Sequence, residues 1–242
     1  MVKIESQAAS LLIDTIFPRR CPVCGDIVMP RGQLICPSCF QTLSFVHSPT
    51  CKKCGKEVTC DTVEYCLDCT RHKRSFEYGI ALVNYDDASR KSMTGIKYKN
   101  KREYLDFYIE AGIHFCGERL LRMNADAMLP VPVHPSRMRR RGFNQAEILA
   151  KGLGRGLDLP VYTNVLLRNK KTEPQKILGP SERLKNLEKA FTAEAIPDGI
   201  SRVILIDDIY TTGSTIEACA RTLKRAGIKK VYFFAICIGQ GQ

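Results

Sequence analysis

Nine of the twelve cysteines in this chain fall between Cys21 and Cys69, and their spacing repeats. Cys21–Cys39 reads CPVCGDIVMPRGQLICPSC and Cys51–Cys69 reads CKKCGKEVTCDTVEYCLDC. Each stretch has C-x-x-C-G, a variable hairpin-like run, an apolar residue (Ile35 or Tyr65) and a second C-x-x-C; the two are offset by thirty residues. Two residues between cysteines let a turn aim both sulfurs at one ion, and Gly25 or Gly55 permits the left-handed turn that follows. Two such knuckles close a tetrahedral thiolate site with no position open to substrate. Cys21, Cys24, Cys36 and Cys39, and Cys51, Cys54, Cys66 and Cys69, therefore predict two structural Zn2+ ions. Pairing within each repeat closes the shorter loops, although an interleaved brace satisfies the same spacing. A disulfide framework belongs to an oxidising compartment, and a redox C-x-x-C suits one pair rather than four. Cys60 stands opposite Pro30 in the repeat and reads as a spare thiol. In ribbons this small the metal supplies much of the folding free energy, on the order of 10 kcal/mol per site.

The 242 residues leave room for one medium α/β domain beside the ribbons, and a hydrophobic share of 44% is that of a globular chain. The expected organisation is an amphipathic helix over 1–20, with Leu11, Leu12, Ile16 and Phe17 on one side, a double zinc ribbon over 21–74, and an α/β domain over 75–242. No apolar run approaches the roughly 18 residues of a membrane span. Glu5 and Asp14 flank only a short apolar stretch, so the start does not read as a secretory signal and the expectation is a cytoplasmic protein. The net charge of +12 is uneven: residues 1–74 carry ten Lys/Arg against seven Asp/Glu, and the remainder 27 against 18. Bound thiolates make the first part slightly acidic, so the basic excess lies in the second. Its clusters are Arg90, Lys91, Lys97, Lys99, Lys101 and Arg102, then Arg137, Arg139, Arg140 and Arg141. Scattered lysines are ordinary solvated surface; four arginines in five positions ask for an anionic partner to relieve their repulsion.

Beyond Phe76 strand and helix patterns alternate. Gly79–Tyr85 predicts a strand, Leu105–Met123 a helix, and Met128–His134 a short strand carrying two prolines. Asn144 with Glu147 predicts a capping box opening a helix. After VYTNVLL (161–167) comes a long polar stretch, 168–186, which reads as a functional flap rather than filler. Val203–Ile206, a helix ended by Gly227, and Val231–Ile238 complete an α/β domain with a mainly parallel sheet flanked by helices.

The segment VILIDDIYTTGST (203–215) carries the chemistry. A wholly apolar strand ends in Asp207 and Asp208, and ligands of open α/β sheets sit beyond the carboxyl ends of their strands. Thr211, Thr212, Gly213, Ser214 and Thr215 then enter a helix, where free N–H groups, hydroxyls and a glycine cradle a phosphate. Carboxylates beside a phosphate suit a hydroxyl-bearing sugar or a shared metal ion; a ribose 5-phosphate meets both conditions. No nucleoside-triphosphatase loop is present, and Gly152–Gly156 follows a helix pattern rather than the strand a dinucleotide loop needs. The four histidines form no catalytic constellation, His134 reads as an ordinary loop residue, and Cys116, Cys219 and Cys237 read as small core residues.

This loop resembles the 5-phosphoribosyl-1-pyrophosphate loop of type I phosphoribosyltransferases. The whole chain resembles the ComF family of competence proteins, with a double zinc ribbon, the segment P-V-H-P-x-R-x-R-R-R-G-F-N-Q-A at Pro132–Ala146, and this final loop, in that order. The resemblance implies Asp207 and Asp208 on the ribose hydroxyls, directly or through Mg2+, and Thr211–Thr215 on the 5-phosphate. It implies pyrophosphate contacts from His134–Arg141, with Ser136, Arg137, Arg139 and Arg141 as candidates, and a flap contributing Thr172, Gln175 and Arg183. Asn144 reads as a helix cap before it reads as a ligand contact. It further implies handling of single-stranded DNA in natural transformation, beside a DNA-uptake helicase or recombination proteins. Lys97, Tyr98, Lys99, Lys101, Arg102 and Arg140 are the nucleic-acid candidates, combining charge with stacking. Two alternatives stand beside this: an active phosphoribosyltransferase on a base or other acceptor in nucleotide metabolism, and a regulatory domain sensing the pyrophosphate ligand.

Overall fold

The structure, a computed structural model, describes residues 18–168 and 187–240. The expected N-terminal helix, except for its last three residues, and the flap positions Thr172, Gln175 and Arg183 lie outside the described residues.

Each ribbon opens on an antiparallel bridge, Arg20 with Ile27 and Thr50 with Glu57, thirty residues apart. Each closes in a short helix that starts directly after the third of its four clustered cysteines: α1 (Pro37–Gln41) after Cys36 and α2 (Leu67–Arg71) after Cys66. The repeat seen in sequence is thus a repeat of structure. Between the ribbons the chain runs antiparallel along β1 (Gly79–Asn84), with Val46 N–H on Leu82 O at 3.0 Å and Asn84 N–H on Ser44 O at 2.7 Å. The ribbons are therefore stitched to the edge of the sheet.

After β1 come α3 (Asp87–Tyr98), α4 (Tyr104–Leu121), β2 (Ala127–Pro130), α5 (Pro135–Arg141) and α6 (Gln145–Leu157). A two-stranded antiparallel pair, β3 (Leu166–Arg168) with β4 (Phe191–Ala193), precedes β5 (Arg202–Tyr210), α7 (Ser214–Arg225) and β6 (Lys230–Ile238). The main sheet is parallel, in the order β1–β6–β5–β2. Period-two alternation divides its apolar residues between two cores. Ile204, Ile206, Tyr232, Phe234 and Ile236 meet α3, α4 and α6 on one face. Val203, Leu205, Val231, Phe233 and Ala235 meet α7 and the second ribbon on the other.

Four details depart from the sequence reading. β5 does not stop before the acids; Asp207 is still in register with Ala235 of β6, so both carboxylates are strand residues. β2 ends at Pro130, because Pro130 and Pro132 bring no N–H to a ladder. Asn144 caps α6 by accepting from Ala146 N–H at 3.1 Å, but there is no capping box, since Glu147 turns to Lys151 at 2.6 Å. Finally α3, within a region read only for its charges, has a full capping box between Asp86 and Ser89.

Candidate functional site

At the carboxyl end of β5 the chain passes through exposed Thr211 and Thr212 to Gly213, which caps α7 with a φ of 74°. Only glycine fits: the left-handed backbone disfavours a side chain, and a Cβ here would stand 2.3 Å from Tyr210 Oη. The first N–H groups of α7 point into the turn without helical partners of their own. Thr212 Oγ1 and Ser214 Oγ are 3.0 Å apart, and a cavity of about 40 Å3 opens between Asp207 and the backbone of Thr211–Thr215. That is room for one small group, set where the helix dipole favours an anion.

Asp207, 9% exposed, lines this cavity, and Asp208, 5% exposed, follows it on the strand. Asp208 N–H donates to Asp207 Oδ1 at 2.8 Å. Burial, reinforced by the neighbouring Asp208 charge, pushes the Asp207 carboxyl up to about 7. Lys97 Nζ lies 3.0 Å from Oδ1 and 2.9 Å from Oδ2 of Asp208, and neutralises that carboxylate. Lys97 is thus committed to the acid pair, 111 residues away in sequence, rather than to the open surface where its charge cluster suggested.

The arginine segment is helix α5, ended by Gly142 at a φ of 77°. Arg141 turns inward, with Nε on Lys97 O at 3.0 Å and its guanidinium on the Gln145 side-chain oxygen. It therefore braces the lysine that faces Asp208. Arg137, Arg139 and Arg140 are exposed, and Ser136 Oγ is 2.7 Å from His134 Nδ1. Hydrogen bonds join Asp207, Asp208, Lys97 and Arg141, and one cavity joins Asp207 to Thr211–Thr215; Arg137, Arg139 and Ser136 belong to neither group.

The two basic clusters meet in space. Arg140 lies over the Tyr98 ring at 5.6 Å, and that ring is 66% exposed. Arg102 lies over Phe143 at 4.4 Å, Lys101 is 3.7 Å from Glu103, and Lys99 is exposed. The face combines guanidinium groups with one exposed aromatic ring, the elements of single-strand recognition.

Two contributors carried no local signal. Arg168, which opened the polar stretch, is packed over Phe191 at 5.2 Å, its charge favouring ionised Asp207, and its Nε is buried without a hydrogen-bond partner among the described residues. Arg74, just past the second ribbon, donates to Thr212 O at 2.9 Å, directly under the turn. Beside it Ser75 gives its N–H and hydroxyl to Glu217, each at 2.8 Å, and Glu217 is a buried residue in the first turn of α7. The base of this turn is held from the ribbon side.

The cysteines gather within each repeat: the four Sγ atoms of Cys21, Cys24, Cys36 and Cys39 lie within 4.8 Å of one another, as do those of Cys51, Cys54, Cys66 and Cys69. A tetrahedral ion with Zn–S bonds of about 2.3 Å needs sulfurs roughly 3.8 Å apart. Cys54 and Cys66 Sγ stand at 3.6 Å, and Val23 N–H points at Cys21 Sγ at 3.4 Å, so the sulfurs fit zinc as thiolates. All twelve cysteines are free of disulfides, and Cys60 is exposed, 3.0 Å from Thr62 Oγ1. Among the described residues no helix is long and apolar enough to cross a membrane.

Comparison with known proteins finds two matching domains. A double zinc ribbon domain matches residues 12–70, and a phosphoribosyl transferase domain matches residues 138–241. Competence protein F of Haemophilus influenzae is 27% identical over 227 residues, 91% of this chain and 97% of that protein. Competence protein ComFC of Bacillus subtilis is 26% identical over 223 residues, covering 90% and 89%. The DNA utilization protein YhgH of Escherichia coli O157:H7 is 34% identical over 112 residues, 46% of this chain and 49% of that protein.

Proposed function

We propose that this homologue of the ComF-type competence proteins, a double zinc ribbon joined to a phosphoribosyl transferase domain, binds 5-phosphoribosyl-1-pyrophosphate together with Mg2+. The observation that carries the reading is the buried pair Asp207–Asp208 leading without a break into the left-handed Gly213 turn. The turn Thr211–Thr215 would take the 5-phosphate and the carboxylates the ribose hydroxyls. Ser136, Arg137, Arg139 and Arg141, on the neighbouring β2 side, would face the pyrophosphate. Mg2+ would supply positive charge between carboxylates and diphosphate. Lys97 supplies the charge that balances Asp208 in the unliganded protein, and Arg141 keeps that lysine in place.

Calorimetry on the folded Asp207→Asn/Asp208→Asn double variant tests this: Mg2+-dependent binding is expected to be abolished, and unchanged affinity would sink the assignment. The same titration carries a pH signature. Asp207 must ionise to engage the ligand, and its carboxyl titrates near 7, so affinity rises as pH increases through about 7. Folding stability runs the other way: between about pH 4 and 7 the native state keeps a proton that the unfolded chain has lost. Stability therefore falls over that window, and Asp207→Asn removes the fall.

The merged basic face favours a second role, contact with single-stranded DNA in the cytoplasm during natural transformation, where a DNA-uptake helicase or recombination proteins would be its neighbours. The names of the relatives, competence and DNA utilization proteins, support it. Binding of a labelled oligonucleotide is expected to weaken steeply with salt, and Tyr98→Ala to cost about 1 kcal/mol or more. Salt-independent binding would defeat a phosphate-backbone interface.

A further inference from the structure

Where the chain leaves the second ribbon, it borders a cavity of about 590 Å3. Lys73 and Arg74 line it from the ribbon exit, Glu188 from the segment before β4, and Arg221, Lys224 and Arg225 from α7. Apart from Ser75, every described side chain lining it is charged. It shares no lining residue with the cavity between Asp207 and the Thr211–Thr215 backbone. Lys224 and Arg225 stand in the last turn of α7, where the helix dipole favours cations. That does not account for Lys73 and Arg74, which the fold brings here from well over a hundred residues away.

The acids around the cavity do not match its cations. Arg221 donates from Nε to Glu217 at 2.6 Å and from Nη1 to Glu188 at 2.8 Å. Arg225 Nη2 reaches the other oxygen of Glu188 at 3.3 Å, and Lys224 Nζ reaches Glu77 at 2.8 Å. Lys73 is exposed and pairs with no acid among the described residues. Arg74 holds Thr212 O, and its Nε has no partner among the described residues. Five cations thus face three carboxylates, and a bound anion relieves the excess. Glu188 shows how an oxyanion is taken here: its two oxygens bridge Arg221 and Arg225, the arrangement that guanidinium groups also offer a phosphate. With no aromatic or aliphatic wall among the described residues, the cavity recognises charge rather than a base or an acyl chain.

We propose that this cavity is an anion site for a small polyphosphate, free or carried on a nucleoside, whose phosphates meet Lys73 and Arg225 in competition with the Glu188 carboxylate. The site is separate from the Thr211–Thr215 turn and does not rest on the phosphoribosyl pyrophosphate reading.

The test is calorimetry on the full zinc-loaded chain without Mg2+, at fixed ionic strength, with tripolyphosphate as the probe and ATP in parallel. A saturable component is expected that survives in Arg137→Ala/Arg139→Ala and is weakened tenfold or more in Lys73→Ala/Arg225→Ala. Both Lys73 and Arg225 are exposed, so zinc content should be unchanged in the second variant. Glu188→Gln removes the competing charge and is expected to tighten binding threefold or more, a gain that a misfolded variant does not produce. Equal affinity for the two probes marks the phosphates as the whole of the recognised group, and tighter binding of ATP marks a nucleoside triphosphate; either supports the site. Binding indifferent to Lys73→Ala/Arg225→Ala, or not tightened by Glu188→Gln, overturns the proposal. So does a thymidylate dodecamer that binds through Lys73 and Arg225 when neither probe does, because the face then tracks a strand.

Discussion

The two zinc ribbons share one cysteine spacing and one hairpin, yet they sit in different surroundings. In the first, Cys24 is exposed and Cys36 and Cys39 are half-buried; in the second, Cys51, Cys54 and Cys66 are all buried. The first rests on α4 through aromatic contacts, Phe40 with Phe107 at 6.3 Å and Phe45 with Phe115 at 4.8 Å between ring centroids. The second enters the core under the Thr211–Thr215 turn, among Phe76, Tyr210, Phe233 and Ile216. The replaced side chains show the same divergence. Asp26 of the first repeat is exposed, whereas its counterpart Lys56 is buried and pairs with Asp68 at 2.6 Å. Duplication reproduces the metal site, because four thiolates and two turns suffice for it. What the site supports depends on residues between the cysteines, and these have parted.

Removing one zinc at a time is the strongest way to break this comparison. Cys54→Ser takes a buried ligand from the second site. Its binding energy, on the order of 10 kcal/mol, is comparable with the whole stability of a domain. The expected outcome is loss of one zinc by elemental analysis together with loss of measurable phosphoribosyl pyrophosphate binding, since Arg74 and Ser75 lose their anchor beneath the turn. Cys24→Ser is expected to lose one zinc as well but to leave ligand affinity within about threefold, because the first ribbon contacts α4 and the sheet edge instead. Equal losses of affinity would mean that the ribbons act as one unit.

A milder test uses the glycine that follows the second cysteine of each repeat. Gly25 and Gly55 both have left-handed backbones, at φ of 84° and 78°. Alanine at Gly25 would meet nothing within 4 Å, whereas at Gly55 its Cβ would stand 2.6 Å from Gly79 O, on the backbone of β1. Both substitutions bear the left-handed penalty of roughly 1–2 kcal/mol. Only Gly55→Ala adds an overlap that forces ribbon and sheet apart, another 1–3 kcal/mol or so. Denaturant unfolding should therefore place Gly55→Ala about 2 kcal/mol below Gly25→Ala; coincident midpoints would show that the second ribbon is not seated on β1.

The difference between the ribbons marks the boundary of what sequence conveys. The zinc sites were legible because ligand spacing is local, and pairing within each repeat follows from the closing of short loops. β5, β6 and the glycine turn were legible because a doubly buried strand is continuously apolar and the turn is one contiguous stretch of sequence. Lys97 was legible as a charge but not as the partner of Asp208, which lies on β5, 111 residues away in sequence. The capping box of α3 was present in Asp86 and Ser89, yet a segment dense in Lys and Arg draws attention to its charge rather than its cap. Arg74 and Glu217 are separated by well over a hundred residues, and nothing near either one marks it as half of the ribbon-to-turn junction.

The smallest expected effect isolates that junction. Arg74, half-buried at the exit of the second ribbon, holds Thr212 O, while Arg19, at the entry of the first, pairs with Asp106 at 2.7 Å near the surface. Arg74→Ala removes a charge-assisted bond from the backbone of the Thr211–Thr215 turn without touching the residues proposed to meet the ligand. Discounted for its partial exposure, the bond is worth about 1 kcal/mol, so phosphoribosyl pyrophosphate affinity is expected to fall roughly fivefold with zinc content intact. Arg19→Ala removes an exposed ion pair, worth at most about 1 kcal/mol of stability, and is expected to leave affinity unchanged. Lysine at position 74 can replace the charge but not the planar geometry of the guanidinium, so Arg74→Lys should recover only part of the loss. If Arg74→Ala and Arg19→Ala prove alike in affinity, the second ribbon braces the sheet rather than the turn. If Arg74→Ala alone weakens binding, the asymmetry between the ribbons reaches the ligand.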